Sequence, residues 1–69
     1  MITSESVAGI AMRAATLLAS GKIDSATATW IGAATQQAQT ALREGKTVED
    51  KVVAELLEAE EMLTQAGAG

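Results

Sequence analysis

Apolar positions recur at helical spacing in three stretches of the chain, and no stretch alternates with the period of a strand. The first stretch predicts a helix from about Glu5 to Ser20, with Thr3 or Ser4 as the N-cap and Gly21 as a left-handed stop. Ala is the best helix former, and the chain has 15 Ala and no Pro. Helix is therefore the regular structure that the pattern favours, and we expect an all-α fold.

Two further helices follow the first. The second is predicted from its N-cap, Asp24, to about Glu44, where Gly45 ends it. The third is predicted from Thr47 to about Ala66, with residues 67–69 fraying beyond it. The connections between the three helices should therefore be two or three residues long.

Each predicted helix carries an apolar stripe that we expect to face the core. The stripes consist of Val7, Ile10, Ala11, Ala14, Leu17 and Leu18 in the first helix; Trp30, Ala34, Ala38 and Ala41, with Ile31 and Leu42 at the edge, in the second; and Val48, Val52, Leu56, Ala59, Leu63 and Ala66 in the third. Val53 and Leu57 project away from the third stripe, so the third helix has two apolar sides.

Short connections favour antiparallel neighbours, so we expect one all-helical domain over residues 1–69, built from three short antiparallel helices. It would consist of a helical hairpin and an N-terminal helix, and the competing arrangement exchanges that first helix onto a second chain. Ile, Leu and Val together number only 14, and Cys and His are absent. A core this small supplies at most about 3–5 kcal/mol without a disulfide or a metal, so we expect dimerisation to complete it.

The residue inventory argues against catalysis. His, Cys and Tyr are all absent, which removes the usual nucleophiles, proton carriers and soft metal ligands. Acidic residues of the third helix would lie around its exposed side rather than converge on a pocket. We therefore expect no enzyme activity, no cofactor and no metal. No stretch holds the roughly 20 apolar residues of a membrane span, so we also expect no membrane association and a cytoplasmic protein.

Charge is distributed unevenly along the chain. Residues 1–51 hold five basic and five acidic side chains, so the net charge of -4 arises entirely after Lys51. The residues responsible are Glu55, Glu58, Glu60 and Glu61. Besides keeping the chain soluble, such a face can dock against a basic protein surface.

Residues 25–42 contain no charged side chain, which is unusual because about a quarter of an average domain is charged. The outward side of this helix is expected to present Ala28, Gly32, Thr35, Gln36 and Gln39. Small and neutral groups of this kind let another helix approach closely. We interpret the stretch as an interface, with a plain water-facing surface as the alternative.

Trp30 is the only aromatic residue. It can fill the centre of an Ala-lined core, or it can anchor the chain in a partner's pocket, because Trp is enriched among binding hot spots. The two roles differ in how far the side chain is exposed in the folded monomer.

The hypothesis that fits these features best is a small helical interaction module. It would self-associate, with a dimer favoured, and bind a larger protein as an inhibitor, anti-activator or adaptor. The predicted contact residues are Trp30, Ile31, Thr35, Gln39, Val53 and Leu57, with Glu58 and Glu61 at the rim.

Two alternatives remain open. One is a nucleic-acid-associated regulator resembling a helix-turn-helix, in which Arg13, Lys22, Arg43 and Lys46 would face phosphates. Nucleic-acid binding is disfavoured because the third helix would bring carboxylates rather than bases to the groove. The other alternative is a structural subunit of a larger assembly, such as a virus particle.

Overall fold

The computed structural model of the chain describes residues 2–68, which form three α-helices and contain no strand. Helix α1 spans Ser4–Ala19, α2 spans Ser25–Arg43 and α3 spans Asp50–Ala68. The prediction of an all-α fold is confirmed. Each helix packs against the other two, and the overall dimensions are 36 × 19 × 16 Å.

Local hydrogen bonds set the start and the end of α1. The backbone N–H of Ser6 donates to Thr3 Oγ1 at 3.1 Å, and the Thr3 N–H donates back to Ser6 Oγ at 3.0 Å. Thr3 rather than Ser4 is thus the N-cap, in a reciprocal capping box. At the other end Gly21 has a φ of +75°, and the Lys22 N–H donates to the Leu17 carbonyl at 2.8 Å. This is the Schellman arrangement that Gly permits at low cost.

Helix α2, like α1, begins at a side-chain N-cap and ends at a glycine with positive φ. The Thr27 N–H donates to Asp24 Oδ1 at 2.8 Å, which confirms Asp24 as the N-cap. Gly45 has a φ of +72°, and the Lys46 N–H closes the end of the helix on the Ala41 carbonyl at 2.8 Å. Both predicted glycine stops are therefore present.

Helix α3 starts three residues later than its sequence pattern predicts. Thr47 does not cap it, because residues 46–49 are an irregular connection and the helix begins at Asp50. Val48 is buried within this connection. In this irregular connection the chain turns from α2 to α3 with the Val48 side chain in the core. The end differs too: α3 continues through Gly67 to Ala68, and Gly69 lies outside the described residues.

One hydrophobic core receives side chains from all three helices and from Val48. Its buried members are Val7, Ile10, Ala14, Ile31, Ala34, Ala38, Val48, Val52, Leu56, Ala59 and Leu63. The stripe predicted for α3 is confirmed, with Ala66 only half-buried at its end. The stripe predicted for α1 is confirmed except at Leu18, which is 40% exposed.

The buried face of α2 differs from the predicted one. Ile31, expected at the edge of the stripe, is completely buried at its centre, whereas Trp30 is only half-buried. Thr35 was expected to point outward, and that was wrong: it is 5% exposed. Its hydroxyl donates to the Gly32 carbonyl at 2.9 Å, so the helix itself supplies the hydrogen bond that a buried hydroxyl needs.

Candidate protein-interaction surface

Leu57 lies on the outer side of α3 and is 64% exposed. It follows Val53 by one helical turn, and the two line a depression together with Ile2 and Leu42. We call these four residues the Leu57 patch. The other three are half-buried, so Leu57 is the member with a large apolar area left to cover. The prediction that both residues project away from the core holds for Leu57, whereas Val53 is half-buried and packs against the core.

Carboxylates flank the Leu57 patch. Glu58 is the next residue, Glu61 lies one turn further along α3, and both side chains are exposed. Within residues 2–68 the ion pairs are limited to Lys46 Nζ with Glu44 Oε1, at 3.3 Å. Glu58 and Glu61 therefore make no ion pair inside the described chain, while Lys46, which lines the same depression as Leu57, is paired with Glu44.

The contact residues predicted on α2 do not join this patch. Ile31 and Thr35 are in the core and present no surface to a partner of the folded monomer. Gln39 is half-buried against α1, where its Nε2 donates to the Ser4 carbonyl and its Oε1 accepts from Ser4 Oγ, both at 3.0 Å. Two of these three residues therefore act in the core, and Gln39 fastens the end of α2 to the start of α1.

Trp30 is neither fully buried, as Ile31 is, nor highly exposed, as Leu57 is. It packs against the core and remains partly exposed, and it is not among the residues that line the depression beside Leu57. Its buried part fills space in an Ala-rich interior.

The outer side of α2 is neutral, as the absence of charge over residues 25–42 predicts, but it is turned relative to the expected face. The exposed residues along it are Ser25, Ala26, Thr29, Gly32, Ala33, Gln36, Gln37 and Thr40. They are small or carry amides, and none supplies a large apolar anchor of the kind that dominates binding energies. The Leu57 patch does supply one.

Sequence reasoning missed the most exposed of the large hydrophobic side chains in residues 2–68. Met12, on α1, is 70% exposed and lines two neighbouring depressions between α1 and α3. The signal was present: Met12 lies well off the stripe formed by Val7, Ile10 and Ala14 on the helical wheel. A single Met among alanines gave too little contrast to stand out.

Basic side chains do not gather on one surface. Lys22 precedes α2, whereas Arg43 and Lys46 lie at its other end. A helix of 19 residues is about 28 Å long, so these two groups are at opposite ends of the bundle. A nucleic-acid backbone would have to extend along most of the molecule's length to contact both groups.

The grouping of titratable side chains bears on metal binding and on proton transfer. Residues 2–68 contain no cluster of three or more His, Cys, Asp or Glu side chains placed to hold a metal ion. Hydrogen bonding from the side chain and backbone of Thr27 lowers the pKa of Asp24 below its ordinary value of 3.8. That shift belongs to the N-cap of α2 and therefore has a structural cause.

Comparisons with protein-family models, curated proteins and solved structures found no match to this chain. Over the described part of the chain, no helix combines the length and the apolar character needed to cross a bilayer.

Proposed function

We propose that the chain is a small, non-enzymatic protein-interaction module that self-associates as a dimer and binds a larger protein as an inhibitor, anti-activator or adaptor. The observation that carries this proposal is the Leu57 patch, in which a large aliphatic side chain stays 64% exposed, with the exposed Glu58 and Glu61 next to it on α3 and Lys46 lining the same depression. An exposed apolar anchor with a charged rim is the usual composition of a binding hot spot.

The proposal includes an antiparallel arrangement of the three helices, which would form a rigid platform for the patch. Two observations support it. The connections are short, with five residues between α1 and α2 and six between α2 and α3. Ser4, at the start of α1, is also hydrogen-bonded to Gln39, near the end of α2.

Charge indicates the chemistry of the larger partner. Glu58 and Glu61 adjoin Leu57, and every unit of the net charge lies in α3 after Lys51. A basic surface with an apolar pocket would be attracted to this side and would then bury Leu57. Ile31 and Thr35 have no place in the contact, because both are in the core.

Affinity capture with matched variants tests the proposal. The chain would be immobilised and exposed to an extract of the organism that encodes it, with Leu57→Arg and Thr29→Arg as parallel baits. Both changes add the same charge to an exposed helical position, and Thr29 lies on the neutral outer side of α2. We expect a protein that the wild type and Thr29→Arg retain and Leu57→Arg loses. Equal capture by all three baits would show that the Leu57 patch is not the docking site.

A further inference from the structure

A groove runs between α1 and α3 on the face next to the Leu57 patch. Two neighbouring depressions form it, with Met12 and Arg13 lining both of them. It extends along α1 from Ser6 to Leu17, a rise of about 16 Å. We call it the α1/α3 groove and define it by Ile10, Met12, Arg13, Leu17, Glu60 and Leu63.

The groove combines a protruding side chain with an apolar floor. Met12 stands out at 70% exposure, while Ile10 and Leu63 are buried beneath it and Leu17 is half-buried. Met is unbranched and adaptable, so it can enter an irregular apolar depression without a fixed shape. A surface that has both a protruding side chain and an apolar depression can be complementary to the same surface of a second copy.

Charge in the groove is balanced, unlike the rest of α3. Arg13 and Glu60 line the same depression, yet the ion pairs of residues 2–68 do not include this pair. In a twofold-symmetric dimer, Arg13 of each copy can contact Glu60 of the other copy. The interface then contains two ion pairs. A second copy brings one Arg13 for each Glu60, whereas a uniformly basic or acidic partner leaves one of the two charges unmatched.

Because the molecule is small, a stable dimer must bury a large fraction of its surface. A stable interface buries about 800 Å² on each partner, close to a fifth of the 4528 Å² that this chain exposes. That area is comparable to the whole of one 36 by 19 Å face. A typical monomer of 7.0 kDa exposes only about 4,000 Å², so this chain has more surface to cover than its mass requires.

We infer that a second copy of this chain occupies the α1/α3 groove, with Met12 of each copy inserted against Leu17 and Leu63 of the other and Arg13 paired with the second copy's Glu60. The inference rests on the self-association in the proposed function and assigns it a surface. The residues that line the groove are not those of the Leu57 patch, so in this arrangement Leu57 is left for the larger partner.

Sedimentation equilibrium over a dilution series tests the assignment. The wild type is compared with Met12→Lys and with Leu57→Lys, which makes the same charge change at the other highly exposed large hydrophobic residue. We expect a dimer whose dissociation constant rises about tenfold or more in Met12→Lys and stays unchanged in Leu57→Lys. Circular dichroism shows whether each variant keeps its helices.

A charge exchange supplies a second measurement that does not depend on Met12. Arg13→Glu and Glu60→Arg should each weaken the dimer, and the double variant should restore it. If Met12→Lys unfolds the chain, restoration in the double variant supports the groove and its absence overturns it.

Two results would overturn the inference, and they differ in what they leave of the proposed function. A dimer weakened by Leu57→Lys but not by Met12→Lys moves self-association to the Leu57 patch and refutes only the groove. A wild type that stays monomeric at every concentration refutes both the groove and self-association. Docking of the larger protein is then judged separately by the capture experiment.

Discussion

Leu56 and Leu57 are adjacent in sequence but lie in opposite environments, and replacing each with Ala measures the difference. Leu56 is 2% exposed in the core and Leu57 is 64% exposed. Both substitutions change helix propensity equally and remove the same atoms from the same helix. The difference between the two free energies of unfolding therefore reports the environment of each side chain.

The expected magnitudes are far apart. Truncating a buried Leu costs about 2–5 kcal/mol, because the apolar transfer energy is lost and a cavity is left. Full burial of a Leu contributes about 1.5–3 kcal/mol, so Leu57, buried over about a third of its surface, should cost about 0.5–1 kcal/mol. A chain of 69 residues without a disulfide or a metal has about 3–5 kcal/mol of stability in total. Leu56→Ala thus removes a large part of it.

Urea unfolding followed by circular dichroism provides the assay, with all three proteins at one concentration because association adds to apparent stability. At a slope of about 1 kcal/mol/M for so small a chain, a loss of about 3 kcal/mol lowers the midpoint by about 3 M. Leu57→Ala should lower it by about 1 M or less. Equal losses in the two variants would show that α3 has two core faces, and the Leu57 patch could not then be a docking surface.

Three other predictions concern the helix ends and the charges. Gly45→Ala should lower the free energy of unfolding by about 1–2 kcal/mol, because Gly45 has a positive φ. Gly32→Ala should raise it by about 0.5–1 kcal/mol, because Gly32 lies inside α2 with open space around the new Cβ. Thermal melting temperatures in the opposite order would contradict this. The folded-state pKa of Asp24 is lowered, so its charge stabilises the fold above pH 3.8 and that contribution is lost as the pH falls through the lowered pKa. Urea midpoints of Asp24→Asn should lack this acid dependence, and an unchanged dependence would rule the N-cap out as its source. A labelled DNA duplex should show no mobility shift even at low salt, and a salt-sensitive shift would favour the nucleic-acid alternative.

Helix ends were predictable wherever a few neighbouring residues decide them. Thr3, Asp24, Gly21 and Gly45 act through hydrogen bonds and backbone angles within about one turn, and all four are where the sequence pattern puts them. The start of α3 was not local in this sense. Val48 packs into the core where the chain passes from α2 to α3. The capping pattern at Thr47 depends on neighbouring residues only and carries no information about that long-range packing.

The buried side of α2 could not be read from its composition. Ala and Thr fill most of the helix, so the hydrophobic contrast between one side and the other is small. Packing against α1 and α3 selects the side that contains Ile31 and Thr35, and the helix's own carbonyl removes the cost of burying a hydroxyl. Two predicted contact residues were therefore in the core.

The candidate surface was predicted in part. Val53 and Leu57 stand off a clear stripe in α3, where large side chains contrast with carboxylates, and the pattern was sufficient there. Met12 stands among alanines and was overlooked. The groove beneath it exists because Leu63 and Glu60 of α3 lie beside α1, an adjacency that neither helix encodes alone.

The sequence by itself determined that this protein is helical, where two of its three helices start and stop, which side of α3 is buried and where its negative charge lies, because each depends on residues within a few positions of one another. The tertiary structure decided which side of α2 is buried, where α3 begins and which side chains line a common groove. Those outcomes depend on distances between residues far apart in the chain, which become defined only when the three helices pack together.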